Sequence, residues 1–280
     1  MMKLGFMLWR IGGTVDFWTQ LDWVRQHQYD EVSFWTHPGS PGVWQGFDPW
    51  LASPDDLRRL KEALQGFKVV DLHGNAGLQW ELEKRLCSTD EATRRTGVQK
   101  LRELVDFAAG IRADVITIHG GDAAGMAWDI WQKTLGQSLA EIDPVARAAG
   151  VRIGVEMLAE PGADTSAYNL VRNPQLTNVG LTMDTGHMMF RDGAGFRPFG
   201  TLGRLMRRLG QKLFHVHVHD YDGQHDHVAI GAGKIDFPEL VAALVETGYS
   251  GSLCLELNAD RVSPEAMLAS RDRLRAMVRG

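Results

Sequence analysis

Hydrophobic and polar residues alternate along eight short segments of the 280-residue chain. Alternation with a period of two is typical of β-strands, because successive side chains point to opposite faces of a sheet. The stretches between these segments show helical spacing instead, as in Phe17, Leu21 and Val24. The predicted strands are 3–9, 31–35, 68–73, 115–119, 152–156, 179–184, 214–219 and 252–257.

Start signals support the predicted helices between these strands. Ser53 before Pro54 is typical of an N-cap followed by the first helical position, and Ser88 with Glu91 predicts a capping box. The length allows one or two domains, but eight strands that alternate with helices leave no room for a second. We therefore predict a single (β/α)₈ TIM barrel over residues 1–280, with an open doubly wound sheet as the alternative.

The parity of each strand separates its two faces. One parity is apolar throughout and predicts the face that packs on the helices; it includes Val70 and Phe214. The active sites of TIM barrels lie at the C-terminal ends of the strands, so the last residues of the other parity are expected to surround one opening. These residues are Trp9, Trp35, His73, His119, Glu156, Asp184, His217 and Glu256. Carboxylates that point into an apolar interior are costly unless they are paired or bind a metal.

The seventh predicted strand is unusually rich in histidine. His215, His217 and His219 occupy every second position, and His225 and His227 follow in a turn rich in Asp and Gly. Imidazole and carboxylate groups at this density favour a site for Zn²⁺, Mn²⁺ or a related divalent ion. A solvated, histidine-rich surface loop is the alternative interpretation.

Composition narrows the class of protein. Hydrophobic residues make up 44% of the chain and charged residues 23%, and the net charge of -5 comes without any run of Lys and Arg. These features make a nucleic-acid partner unlikely, although a local basic groove stays open. Cys87 and Cys254 form no CxxC pair, and the sequence contains neither a signal peptide nor an apolar run that would span a membrane. We expect a cytoplasmic protein with reduced thiols.

Five motifs together resemble the xylose-isomerase-like TIM barrels of the sugar phosphate isomerase/epimerase type, which belong to the AP endonuclease family 2 superfamily. The motifs are VEM at Glu156, MDTGH with Asp184 and His187, HVHVHD with His217, GAGKIDFPELVAAL from Gly231 and LCLELN at Glu256. The resemblance spans nearly the whole chain. It implies one divalent metal ion held by Glu156, Asp184, His217 and Glu256, with His187 near the substrate. Mn²⁺ is the expected ion, and Zn²⁺, Co²⁺ or Mg²⁺ are the alternatives.

The same superfamily includes zinc-dependent apurinic endonucleases, which bind three ions. His73, His119, His187 and His227 stand where several of the additional ligands of those enzymes would be, whereas His225 stands where that pattern has Asp. Many sugar-type members use some of these histidines as substrate contacts, which is the role we expect for the four. A zinc-dependent phosphodiesterase remains the alternative.

The resemblance implies isomerisation or epimerisation of a sugar, sugar phosphate or keto-inositol through a metal-stabilised enediolate. Glu156 and Glu256 would remove and return the proton as general base and acid. Ketose 3-epimerases carry an Arg shortly after the metal-binding His, whereas this chain has Gly223 there. This departure weighs against a ketohexose 3-epimerase and leaves another isomerase or epimerase, or a keto-inositol dehydratase. A sugar-binding protein without catalysis is the alternative from another class.

Tryptophans near the N-terminus complete the expected site. Trp9 and Trp35, with Trp44 or Trp50, are predicted to line the pocket, because the C–H faces of a sugar or polyol pack on aromatic rings. The alternative places several of them in the core or at the interface of a homo-oligomer, where tryptophan is enriched.

Overall fold

Eight parallel strands close into a barrel in the computed structural model, which describes residues 2–9, 11, 16–40, 43, 45–74, 81–120, 126–158 and 163–279. Each strand pairs with the next in the sequence, and β8 pairs with β1 to close the barrel. The predicted (β/α)₈ TIM barrel is confirmed. The strands are β1 (Lys3–Leu8), β2 (Glu31–Trp35), β3 (Lys68–His73), β4 (Val115–His119), β5 (Arg152–Met157), β6 (Val179–Asp184), β7 (Leu213–Val218) and β8 (Ser252–Leu255).

Helices surround the barrel and bury their apolar faces against it. The helices are α1 (Phe17–Gln26), α2 (Pro54–Ala63), α3 (Glu81–Leu86), α4 (Glu91–Gly110), α5 (Trp128–Ala149), α6 (Ala163–Val171), α7 (Phe190–Gly193), α8 (Leu202–Leu209), α9 (Phe237–Glu246) and α10 (Pro264–Arg279). The main hydrophobic core lies between this layer and the outer face of the strands. None of the helices in the described part of the chain has the length and hydrophobicity that crossing a membrane requires.

Two helix starts test the predicted caps. Ser53 caps α2 and forms a reciprocal capping box with Asp56, as the sequence predicted for the N-cap. The predicted cap at Ser88 is wrong: Asp90 caps α4 and accepts the main-chain N–H of Thr93 at 2.8 Å. Ser88 instead accepts the main-chain N–H of Asp90 at 3.2 Å. The serine therefore fixes the turn before the cap rather than the helix itself.

Irregular register in two strands changes which residues face inward. Val70 and Phe214 have no partner in the register with the preceding strand. Val70 lies 3.3 Å from the place of a Cβ on Gly5, and Phe214 lies 2.7 Å from the place of a Cβ on Gly180. Gly5 and Gly180 occupy strand positions whose side chains would point into the barrel. The side chains of Val70 and Phe214 therefore lie in the barrel interior as well. The prediction that Val70 and Phe214 face the helices is wrong, because each occupies the extra position of a bulge.

Candidate active site

Histidines and carboxylates from consecutive strands meet at the C-terminal opening of the barrel, around Glu156 at the end of β5. Its Oε2 atom lies 3.2 Å from Nε2 of His73 and 3.0 Å from Nε2 of His119. Its Oε1 atom lies 3.2 Å from Nδ1 of His187 and 3.9 Å from Nδ1 of His217. Glu156 itself is only 2% exposed, so burial in the barrel opening isolates this charge from water.

The other two residues of the predicted ligand set, Asp184 and Glu256, also lie near His217. Nδ1 of His217 is 3.2 Å from Oε2 of Glu256, which directly follows β8. Asp184, His217 and Glu256 each offer one atom such that all three atoms lie within 4.8 Å of one another. Glu156 belongs to a second such group with His73 and His217, so the two groups share His217.

Several atoms at this centre approach one another closely without being aligned for hydrogen bonds. Among the described residues, Nδ1 of His217, Nδ1 of His187 and Oε2 of Glu156 are buried and have no hydrogen-bond partner. An unsatisfied buried polar atom costs about 1–3 kcal/mol. Buried nitrogen and oxygen atoms that lie close together without bonding to one another are an arrangement that a cation could satisfy. These residues therefore fit a divalent ion with mixed oxygen and nitrogen ligands.

Asp71, in the middle of β3, contacts His217 inside the barrel and orients its ring. This role was not predicted from the sequence. One oxygen of its fully buried carboxylate lies 3.3 Å from Nε2 of His217 and accepts the Ser33 hydroxyl at 2.8 Å. The other oxygen accepts the hydroxyl of Thr117 at 2.6 Å. Because Nε2 of His217 faces Asp71, Nδ1 is the nitrogen that faces Glu156 and Glu256 and that a cation would bind. A carboxylate behind a ligating histidine is a common arrangement in metal sites.

The charges of the site hold its histidines in different protonation states. Burial alone would raise the pKa of Glu156, but the surrounding histidines, His119 first, hold it well below its usual value. Burial lowers the pKa of His217, yet the carboxylates of Glu256 and Asp71 outweigh burial and raise it well above the usual value. Burial lowers the pKa of His119 to about 4, so this ring is neutral. Binding of a cation at Nδ1 of His217 would therefore displace a proton.

A second group of polar side chains lies beside the first, on the loop that follows β7. Asp226 is 3.5 Å from Nε2 of His187 and 3.1 Å from Nδ1 of His227. His227 also approaches Glu256, at 3.8 Å. His225 points elsewhere and pairs with Asp222, 3.2 Å away. Asp226, which was not predicted, is thus the residue of this turn that lies beside His187, whereas His225 is not.

Two of the predicted tryptophans contact histidines of the site, whereas a third lies among the outer helices. Trp35 stacks on His73 with ring centroids 3.7 Å apart and the planes inclined by 8°. Trp9 meets the ring of His227 edge to face at 5.1 Å. Of the two alternatives Trp44 and Trp50, Trp50 donates its indole N–H to Glu103 on α4 at 2.8 Å and belongs to the outer helix layer. Trp44 lies outside the described residues.

Replacing Trp35 by Ala should raise the KM for substrate by about 3- to 10-fold, the value of one aromatic contact of about 0.5–1.5 kcal/mol. The reason is that Trp35 stacks on His73, which lies 3.2 Å from Glu156, so its ring is close enough to the site for substrate to pack on it. Steady-state kinetics measure the change. Trp50→Ala is the matched control and should leave KM unaltered. An unchanged KM in a folded Trp35→Ala protein would contradict this role for Trp35.

Relatives by sequence extend over much of the chain. An uncharacterized protein of Methanocaldococcus jannaschii is 28% identical over 75% of this chain and 74% of its own length. The L-ribulose 3-epimerase of Mesorhizobium japonicum is 26% identical over 64% of this chain, and the aligned part spans 60% of that enzyme.

Known structures and the family profile agree with the barrel. The crystal structure of D-psicose 3-epimerase with D-tagatose from Clostridium cellulolyticum has a TM-score of 0.78 at 18% identity and covers 99% of each chain. At this identity the likeness concerns the fold. The profile of the xylose isomerase-like TIM barrel family matches residues 21–277. The chain therefore belongs to the xylose isomerase-like TIM barrel family.

Proposed function

We propose that this protein is a divalent-metal-dependent isomerase or epimerase of a sugar, sugar phosphate or keto-inositol. One observation carries the proposal: Oε1 of Glu156 and Oε2 of Glu256 lie 3.9 and 3.2 Å from the buried Nδ1 atom of His217 at the opening of the barrel. Proton transfer next to a carbonyl is catalysed by a positioned acid and base, and a bound cation stabilises the negative charge that develops on the oxygen. The sequence relatives support this class, since they include a sugar 3-epimerase.

Glu156, Asp184, His217 and Glu256 would hold the ion. A bound divalent ion would act there as a Lewis acid towards the oxygens of the substrate, and Mn²⁺ is the expected metal. β5 and β8 are not neighbours in the barrel, so Glu156 and Glu256 can address opposite faces of a bound sugar. One carboxylate removes the proton from the carbon beside the carbonyl, and the other returns a proton to it.

Further side chains around the opening would bind the substrate hydroxyls. His187 is the more exposed of the histidines around Glu156, with 18% of its side chain accessible against 9% for His119 and 2% for His73. We assign it the first contact with substrate, with His73 and His119 fixing Glu156 from the other side. His227, between Trp9 and Asp226, completes this wall.

A second candidate function rests on Asp226. With His187 and His227 it forms a further oxygen and nitrogen cluster, and His73 and His119 form another with Glu156. Such a set could hold three zinc ions, the arrangement implied by the resemblance to apurinic endonucleases. The net charge of -5 favours the sugar substrate over a phosphodiester backbone.

Metal content and a substrate panel together test the proposal. Protein purified without added metal should contain about one divalent ion per chain, because the candidate ligand groups on β5 to β8 share His217. With Mn²⁺ it should convert one member of a panel of ketoses, aldoses and keto-inositols into a product of equal mass. Three zinc ions per chain with cleavage of abasic DNA would establish the second candidate, and a product lighter by one water would indicate a dehydratase. Sugar binding that needs no metal and gives no product would identify a binding protein.

A further inference from the structure

His219, the residue after β7, is held in one position between two parts of the site. Its ring is fully buried and stacks on the ring of His227, with centroids 3.9 Å apart and the planes inclined by 16°. The hydroxyl of Thr185 accepts the main-chain N–H of His219 at 3.0 Å and donates to its carbonyl oxygen at 2.7 Å. On the other side the ring lies against Gly186, where a Cβ would collide with the imidazole.

The hydrogen bonds of this ring define its tautomer. Nδ1 of His219 lies 2.7 Å from the main-chain nitrogen of His227. A main-chain N–H can only donate, so Nδ1 accepts this bond and carries no proton. The carbonyl oxygen of Asp220, 3.2 Å from the same Nδ1, consequently receives no hydrogen bond from it. The proton of the neutral ring is on Nε2.

The Nε2–H group faces Asp184, at 2.8 Å from Oδ1 and 2.9 Å from Oδ2. A protonated nitrogen has no lone pair for a cation, so His219 is not a ligand although it stands among residues that could be ligands. Oδ1 of Asp184 also accepts the main-chain N–H of His187 at 2.7 Å. These two donors fix the rotation of the carboxylate, whose remaining lone pairs are left for the centre shared with His217 and Glu256.

The Nδ1 side of the same ring fixes the loop after β7. His227 has a left-handed backbone with φ of 52°, a conformation that costs energy for a residue other than glycine. The bond from its N–H to His219 helps to hold this conformation, which places Asp226 and His227 beside His187. One imidazole therefore joins a carboxylate of the candidate metal centre to the loop that forms the substrate wall.

We propose that His219 is a positioning residue whose two nitrogens have separate tasks: Nε2–H sets the Asp184 carboxylate for the metal ion, and Nδ1 sets the loop that carries Asp226 and His227. This inference rests on the proposed function, in which Asp184 is a metal ligand. It predicts that the two tasks can be separated by substitution.

Two amide variants separate them. An asparagine amide reaches about as far as Nδ1, so His219→Asn keeps an acceptor for the N–H of His227 and loses the donor to Asp184. A glutamine amide reaches about as far as Nε2, so His219→Gln keeps the donor and loses the acceptor. The affinity of the metal-free protein for Mn²⁺, measured by electron paramagnetic resonance, reports on Asp184. Hydrogen exchange of residues 220–228 reports on the loop.

We expect His219→Asn to raise the Kd for Mn²⁺ by about 10- to 100-fold. Hydrogen exchange of residues 220–228 should stay as slow as in the wild type. His219→Gln should keep the Kd near the wild-type value with faster exchange in the loop. The assignment is overturned if each variant changes both the Kd and the hydrogen exchange, or if His219→Asn leaves the Kd unaltered. ¹⁵N NMR that shows the Nδ1–H tautomer of His219 in the wild type would also overturn it. A wild-type protein that binds no divalent ion would instead refute the proposed function. The NMR experiment tests only the tautomer of His219, so its result is independent of metal binding.

Discussion

Replacing Glu156 by Gln is expected to lower turnover by about 10²- to 10⁴-fold, the contribution of one general acid or base, while the barrel stays folded. Glutamine keeps the shape of the side chain but removes the charge that lies within 3.9 Å of the rings of His119, His187 and His217. It can neither take a proton from substrate nor act as an anionic ligand. The kcat at saturating Mn²⁺, with circular dichroism as the check on folding, measures the effect.

Glu256→Gln should show a loss of similar size, since the two carboxylates have complementary tasks. Glu103→Gln is the matched control, because Glu103 binds Trp50 and Lys100 in the outer helix layer. Its turnover should remain that of the wild type. Titration with Mn²⁺ separates a missing base from a weakened metal site: a missing base lowers kcat even when the metal is saturating. Full activity in a folded Glu156→Gln protein would refute its catalytic role.

The strand ends were predictable because a barrel strand alternates between two environments. Glu156 and His217 were recognisable as inward polar residues next to apolar neighbours, and the structure places both at the opening. The same reasoning failed at Val70 and Phe214, because a bulge shifts the parity by one residue and leaves no mark in the pattern. Periodicity thus predicts where a strand ends better than it predicts on which face of the strand each residue lies.

Residues whose task depends on partners distant in sequence were harder to find. Asp71 lies within the apolar segment KVVDLH, and only the closed barrel shows that it meets Ser33, Thr117 and His217. Asp226 lies in an irregular turn that has no period, and the left-handed backbone of the next residue directs it to the site. Neither contact follows from local sequence, since each depends on the three-dimensional path of the chain.

Solvent deuterium is expected to enter the product when the reaction runs in D₂O, at the carbon beside the carbonyl. The carboxylate that removes the proton becomes a carboxylic acid that exchanges with water, and the second group, present as a carboxylic acid, gives its own exchanged proton to the substrate and becomes a carboxylate. Because Glu156 and Glu256 lie on strands that are not neighbours in the barrel, the returned proton should come from a different group than the one that received it. The product should therefore carry deuterium from the first turnover.

The measurement uses the active substrate found in the panel, with Mn²⁺ present, and follows the signal of the carbon beside the carbonyl by NMR. Product that carries deuterium at this carbon supports transfer through two carboxylates. In the Glu256→Gln protein, the Glu156 carboxylate alone can still exchange the substrate hydrogen, so labelled starting sugar with little product is expected if Glu156 is the base. If deuterium enters the starting sugar in the Glu156→Gln protein instead, Glu256 is the base and Glu156 is the acid. Product from the wild type that keeps its original hydrogen would contradict the proton-transfer mechanism, because that hydrogen must then have moved between adjacent carbons as a hydride, without passing through a carboxylate that exchanges with water.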